Sequence, residues 1–545
     1  MTRWRTRIAG LMSLVLAAGL AVAAGVPAHA AGYEPISGSG STWSQNALDQ
    51  WRSNVATNYG LTVSFSGQGS TTGRRNFIDG IVDFAVSEIP FQAVAEAGGS
   101  PEIPFPTDKQ RGYAYMPIVA GGTAFMYHLV IGGKRVTNLR LSGEVITKIF
   151  TGKITKWNDP AIKADNPGLA LPDKTVTPII RSDGSGTTAQ FTLWMSKQHS
   201  ALWSDFTASV GRGPGLTSQY PLFPGAKGQT GSNGVSGYVA QAYGEGAITY
   251  VETSYAIEQG FPVAKVLNKS DYYVEPTSEA VAVALLSAQI NTNPSSPDYL
   301  TQILDGVYNS GDPRAYPLSS YSYMIVPTEV KTSAAPTFTT AKGASLGTFA
   351  SYFLCEGQQQ AGPLGYSPLP MNLVLAGFEQ IKRIPGAEGA NVDPNKCNNP
   401  TFSPGDNPSS NRLAASAPQP AACDKRGLDQ CTSGTAGAKD PTDVSGSGSG
   451  GTSSNTAGAG GSTGGATGGA AVGTDVLYDE YGNVIGEGTG TTGSASVVAS
   501  PYTVEATGWG WQQSAMLGAV LLLLAAVVAP PLVVRAMRSG SGAGR

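Results

Sequence analysis

Charge is scarce in this chain. Asp, Glu, Lys and Arg make up 13% of its 545 residues, roughly half the usual share, and the formal net charge is −3. No electrostatic footprint for a nucleic acid is therefore present. Histidine is scarcer, with three residues, one of them in the first 30. Cysteine numbers four, at spacings unlike those of metal-ligand sets. No metal site and no cofactor are expected. Much of the charge deficit falls in the C-terminal third, which is rich in Gly, Ser, Thr and Ala.

The two ends read as membrane-related. Arg3, Arg5 and Arg7 precede an apolar run, Ile8 to Val26, and Ala28-His29-Ala30 forms a small-residue cleavage site. This is the pattern of a secretion signal over residues 1–30. No cysteine lies near the cleavage site, which excludes a lipid anchor there. From Ser514 to Val534 the chain is apolar and uncharged. About 21 residues at 1.5 Å each span roughly 31 Å, the thickness of a bilayer core. Trp509 and Trp511 sit before it, and Arg535, Arg538 and Arg545 follow it. That asymmetry predicts a transmembrane helix over 512–534, a cytoplasmic basic tail over 535–545 and the N-terminal bulk outside the cell. In an exported chain, Cys355, Cys397, Cys423 and Cys431 suggest two disulfides. Three connectivities are open; the reading favours Cys355–Cys397 and Cys423–Cys431.

Between these ends, residues 32 to 400 alternate short β-rich runs with helical patterns, as an α/β protein does. Phe77, Ile78 and Ile81 would share one helix face, and Phe191, Trp194 and Met195 another. From about 408 to 511 the composition becomes that of a flexible tether; Gly446 to Gly469 cannot bury enough apolar surface to order itself. About 75 residues of such coil span roughly 50 Å root-mean-square. Val476 to Glu487 interrupts it, with hairpin character around Gly482-Asn483.

The informative feature is a string that occurs three times: Gly38-Ser39-Gly40-Ser41-Thr42, Gly67-Gln68-Gly69-Ser70-Thr71 and Gly184-Ser185-Gly186-Thr187-Thr188. Each follows a strand-like run and precedes a helix-like one. The first N–H groups of a helix lack intrahelical partners and carry partial positive charge. Glycine admits close backbone approach, and Ser and Thr add uncharged donors. Three such loops imply helix N-termini converging on one anion. The third copy is preceded by Arg181-Ser182-Asp183. Arg181, at a strand end, offers a planar fork of donors that fits a tetrahedral oxyanion. Asp183 is expected to orient Arg181 or cap a helix. An ordinary N-capped turn is the alternative for this segment taken alone. Arg74 and Arg75 are read as solvated helix charges in preference to extra anion donors.

Arg181 to Thr188 resembles the arginine and R-x-D-G-S-G-T loop of the phosphate-binding proteins that serve phosphate-specific ABC importers. The likeness extends over most of residues 36–375. Ser37 to Trp43 is similar to the family's N-terminal G-x-G-x-T-aromatic loop, Phe65 to Ser70 to its second phosphate loop, and Val82 to Glu88 to its V-D-F-x-x-S-D segment. Leu141 to Asp159 and Gly246 to Ala256 also fit. The resemblance implies a two-lobed periplasmic-binding-protein-like (type II) α/β fold with the ligand in the cleft. Lobe I would comprise 31–118 and 317–407, lobe II 119–316, with crossing strands near Pro117–Tyr127 and Tyr316–Pro327. It implies phosphate ligands at Thr42 and Trp43 through backbone N–H, and at Ser70, Glu88, Arg181, Ser185, Gly186 and Thr187. A helix start around 230–237 would close over the site.

Glu88 departs from the family's Asp. A carboxylate only accepts hydrogen bonds, so the ligand must bring a proton. Phosphate at neutral pH carries one and sulfate does not, so a buried carboxylate rejects sulfate. Glu keeps this logic with one methylene more; a surface or salt-bridge role is the alternative. The expected function is extracellular, membrane-tethered, high-affinity capture of inorganic phosphate by a monomer, and delivery to an ABC permease. The competing reading is a cell-surface phosphate receptor, sensor or adhesion protein not coupled to transport. An enzyme is not expected, because Ser185 has no neighbouring His in sequence and no metal cluster is available.

Overall fold

A computed structural model of the chain describes residues 32–96, 101–102, 112–296, 298–330 and 337–440, with the backbone of 475–478 and 484–488. The expected leader, membrane span and basic tail lie outside these residues. Among the described residues no helix is long and apolar enough to cross a membrane. The chain divides into two units, Met1–Gly450 and Gly451–Arg545. In the second, the described backbone is one antiparallel pair, Asp475–Tyr478 against Val484–Gly488.

The first unit is built on eight strands: β1 (Ile36–Gly40), β2 (Val63–Ser66), β3 (Phe84–Ser87), β4 (Tyr113–Tyr127), β5 (Thr177–Arg181), β6 (Lys227–Gln229), β7 (Ala247–Glu252) and β8 (Ser319–Pro327). Their order is β2-β1-β3-β8-β4-β7-β5-β6. Strand β1 is parallel to β2 and β3, and β5 is parallel to β6 and β7. The long strand β4 pairs antiparallel with β8 over Tyr113–Gly122 and with β7 over Thr123–Tyr127. It thus leaves one half-sheet and enters the other, which gives the two-lobed α/β architecture, while β8 pairs with β3 and with the first part of β4. Both strands are buried nearly throughout; β4 reads as a largely apolar run, as a strand covered on both faces does, whereas β8 opens with the buried serines Ser319, Ser320 and Ser322.

Four helices start just beyond strand ends: α1 (Gln45–Tyr59) after β1, α2 (Ser70–Ile78) after β2, α3 (Gly186–Gln198) after β5 and α4 (Gly231–Ala240) after β6. Helix α3 is capped by Ser185, whose Oγ accepts the Thr188 N–H at 3.2 Å. It buries Phe191, Trp194 and Met195, and Phe191 packs on Phe125, Phe150 and Tyr250. Helix α2 buries Phe77 but ends at Ile78, and a left-handed turn at Gly80 follows. Ile81 is consequently exposed and does not share the Phe77 face.

The tether does not begin at 408. Residues 408–440 are folded against the second lobe. Arg314 donates to the carbonyls of Ala414 and Ala417 at 3.1 and 3.2 Å. Lys265 Nζ and Asp424 form an ion pair, nine-tenths buried, at 2.8 Å. The Arg140 guanidinium donates to the carbonyls of Cys423, Gly427 and Asp429 at 3.2, 3.3 and 2.7 Å. Thr435 Oγ1 accepts the Val263 N–H at 3.0 Å. Upstream, Thr401 Oγ1 donates to the Leu369 carbonyl at 2.9 Å. The four cysteines pair as Cys355–Cys397 and Cys423–Cys431, so each anchored end of this strap carries a cross-link. The unbroken Gly/Ser tract starts only at Ser445. Ending the chain at residue 407 removes the carboxylate partner of the buried Lys265 and three carbonyl acceptors of Arg140, which keeps the Asp165 carbonyl. Breaking one such buried pair costs about 3 kcal/mol, so this shortened chain should melt well below one ending at 440. Equal melting temperatures for the two would show that the strap contributes no stability.

Candidate anion-binding site

The tips of β1, β2, β3 and β5 bring the three Gly-hydroxyl loops together around one carboxyl group. Glu88, directly after β3, is 1% exposed. Its Oε2 accepts from Ser41 Oγ at 2.8 Å and from Ser70 Oγ at 2.9 Å. Its Oε1 accepts from Ser322 Oγ on β8 at 2.7 Å. Among the described residues no cation is in contact with it. Burial pushes the Glu88 carboxyl above its ordinary range; the hydrogen bonds from Ser322, Ser41 and Ser70 and the charge of Arg181 pull it back in part. A hydrogen bond to a charged group is worth about 1.5–3 kcal/mol, so three of them are on the scale of the several kcal/mol that burying a carboxylate costs. The surface or salt-bridge role for Glu88 is not what the structure shows.

The first loop meets the second where the Gly69 N–H donates to the Gly40 carbonyl at 2.9 Å, and the second meets the third at Ser70 and Gly186. The Gly186 N–H donates to Ser70 Oγ at 3.0 Å, and the Thr71 N–H donates to the Gly184 carbonyl at 3.1 Å. Two glycines are required here. Gly69 has φ +89°, and a Cβ on it would lie 2.7 Å from the Gly184 carbonyl oxygen. A Cβ on Gly186 would lie 1.8 Å from Glu88 Oε2. At the start of α3 the Thr187 hydroxyl is buried and has no partner among the described residues. Ser185 is occupied twice, its Oγ by the cap and its N–H by the Ser218 carbonyl at 2.9 Å.

Arg181 is 2% exposed. Asp183 grips its guanidinium bidentately, with Nε to Oδ1 at 2.7 Å, and accepts the N–H of Gly231, the first residue of α4, at 3.0 Å. Burial alone would raise the Asp183 carboxyl; the hydrogen bonds and charge of Arg181 outweigh it and hold the carboxyl below its usual range. The remaining arm of Arg181 donates to Ser232 Oγ on α4 at 3.3 Å, and Ser232 Oγ lies 2.8 Å from Thr42 Oγ1. The 42–43 segment is held by two tyrosines, Tyr255 donating to the Thr42 carbonyl and Tyr366 to the Trp43 carbonyl. The Trp43 N–H donates to Ser41 Oγ at 3.0 Å, and the indole is fully buried.

All eight expected ligands therefore lie on loops that touch one another. Three serines were not on that list: Ser41, Ser232 and Ser322. Ser41 stood within a quoted loop and Ser232 within the helix start at 230–237, but Ser322 carries no local signature. Arg74 is neither solvated nor an anion donor. It is fully buried, and Glu102 holds it bidentately at 2.6 and 3.0 Å, because a cation at that depth requires a paired carboxylate.

Comparison with known proteins agrees with this architecture. A family model described as the PBP superfamily domain matches residues 25–356. The phosphate-binding protein PstS of Xylella fastidiosa (strain Temecula1) is 32% identical over 341 residues, which cover 62% of this chain and 82% of the relative. PstS 2 of Mycobacterium tuberculosis is 30% identical over 351 residues, covering 63% and 85%. A solved high affinity periplasmic phosphate-binding protein (PfluDING) bound with phosphate is 19% identical, is covered completely, covers 68% of this chain and superposes with a TM-score of 0.50; that likeness is one of fold. The chain belongs to the PBP superfamily and, within it, to the PstS family of phosphate-binding proteins. It is a binding protein and not an enzyme. Because a methyl group on Gly186 would overlap Glu88 Oε2, Gly186→Ala should abolish anion binding in calorimetry while leaving the far-ultraviolet circular dichroism unchanged. An alanine variant with undiminished affinity would show that the loops do not close on Glu88.

Proposed function

We propose that this chain captures inorganic phosphate outside the cell and hands it to the permease of an ABC importer. The observation that carries this reading is the convergence of uncharged donors from three helix-tip loops and one fixed guanidinium beside a buried carboxyl. Neutral donors suit a dianion whose charge is dispersed over several oxygens, and Arg181 adds one matched charge. Glu88, an acceptor, gives the ligand's proton a place and leaves an unprotonated dianion facing a carboxylate. Ligand contacts reaching both lobes favour the closed form, and release requires a partner that reopens it. Thr42, Trp43, Ser70, Glu88, Arg181, Ser185, Gly186 and Thr187 are the proposed contacts. The head is proposed to act as a monomer, tethered by the Gly-rich segment after the strap and a span over 512–534, with the leader 1–30 removed.

The tether leaves a receptor or sensor role as the second reading. Phosphate uptake at low phosphate separates the two, because loss of the gene abolishes high-affinity uptake only if the protein feeds a transporter. In a thermal-shift panel of phosphate, sulfate, molybdate and nitrate, phosphate should give the largest stabilisation. Arg181→Ala should weaken phosphate binding by about 2 kcal/mol, the scale of one lost charged hydrogen-bond partner. Calorimetry showing wild-type affinity in that variant would remove Arg181 from the site.

A further inference from the structure

The two oxygens of Glu88 have different surroundings. Oε2 takes the loop serines Ser41 and Ser70 and lies over Gly186. Among the described residues Oε1 takes Ser322 alone, from 234 residues away. Ser322 is fully buried on β8, which lies between β3 and β4 where β4 changes half-sheet. There the pairing with β4 slips: Ser322 stands opposite Val119 and Tyr323 opposite Pro117, so Ile118 is an extra residue. A bulge of this kind bends the ladder and re-aims side chains. Ser44 Oγ lies 3.3 Å from Ser322 Oγ and buttresses it from α1's N-cap.

We propose that Ser322 is a specificity-determining positioning residue, whose hydroxyl fixes Glu88 as a hydrogen-bond acceptor with Oε2 turned to the anion loops. The proposal rests on the phosphate reading above. Its logic is that a carboxylate rejects an unprotonated dianion only while it remains ionised and stays in place. Losing the Ser322 donor releases Oε1 and removes an interaction that favours the ionised form, so the carboxyl takes up a proton more readily. A protonated Glu88 donates as well as accepts, and sulfate then finds a partner where it previously found a charge. The charged groups around Glu88 do not substitute for Ser322. Arg181 on β5 is held by Asp183, and Arg74 on α2 is held by Glu102 while donating to Ser87 at 2.9 Å.

The test is calorimetric titration of the full chain with phosphate and with sulfate, from acid to mildly alkaline pH, for wild type, Ser322→Ala, Ser322→Thr and Ser322→Cys. The sign follows from the direction of the shift. Burial already raises the Glu88 carboxyl, and losing Ser322 raises it further. Sulfate binding by Ser322→Ala should therefore be strongest at low pH and fade as pH rises through the raised value. The phosphate-to-sulfate affinity ratio should fall by about tenfold or more, the scale of one hydrogen bond to a charged group. Ser322→Thr, which keeps the hydroxyl, should retain the wild-type ratio and pH profile. Ser322→Cys, similar in volume but a weak donor, should behave as the alanine variant does and guards against a packing artefact. The proposal is overturned if the alanine and cysteine variants bind phosphate with the wild-type ratio at every pH. Wild-type protein that bound neither anion would instead overturn the phosphate reading itself.

Discussion

A carboxyl group buried without a cation in contact among the described residues is the constraint around which this site is organised. Glu88 is out of water, and its hydrogen bonds come from serines on two anion loops and strand β8. Each donor is neutral, so none cancels the carboxylate's charge. An anion entering beside it must bring a proton or face an uncompensated repulsion in a low-dielectric crevice, where charge interactions are strong. The serines, the glycines that let the loops meet and the isolation of Arg181 by Asp183 all serve that geometry. Both buried guanidinium groups nearby are paired, Arg74 with Glu102 and Arg181 with Asp183, but Arg181 also reaches Ser232 on α4, which in turn touches Thr42.

The loops were legible in the sequence because their chemistry is local. Glycine, hydroxyl and helix start fall within five residues, and Arg181 and Asp183 stand two apart. Ser322 was not legible, since a serine on a buried strand has no pattern and its partner lies 234 residues away. Arg74 was misread because helix position alone does not reveal that Glu102 folds back to meet it. Ile81 was misplaced because a periodic face was carried past the point where Gly80 turns the chain. The strap was misplaced because residues 408–440 contain Pro, Gly and Ser enough to resemble a tether. What orders them is a set of distant polar anchors, Lys265, Arg140 and Arg314, that no window of sequence displays.

The matched family model ends at residue 356, whereas the chain goes on to form Cys355–Cys397, pass over the first lobe at Thr401 and Leu369, and reach the second lobe at Asp424 and Thr435. It is a third covalent connection beside β4 and β8.

The account stands or falls on where the anion sits. The most direct measurement is a crystal structure of the head through residue 440 with phosphate. The account predicts a tetrahedral anion within hydrogen-bonding distance of the Arg181 guanidinium, the Thr187 hydroxyl and one oxygen of Glu88, with Ser322 still on the other. Phosphate bound elsewhere, or a Glu88 side chain swung out of the crevice when phosphate is bound, would contradict it.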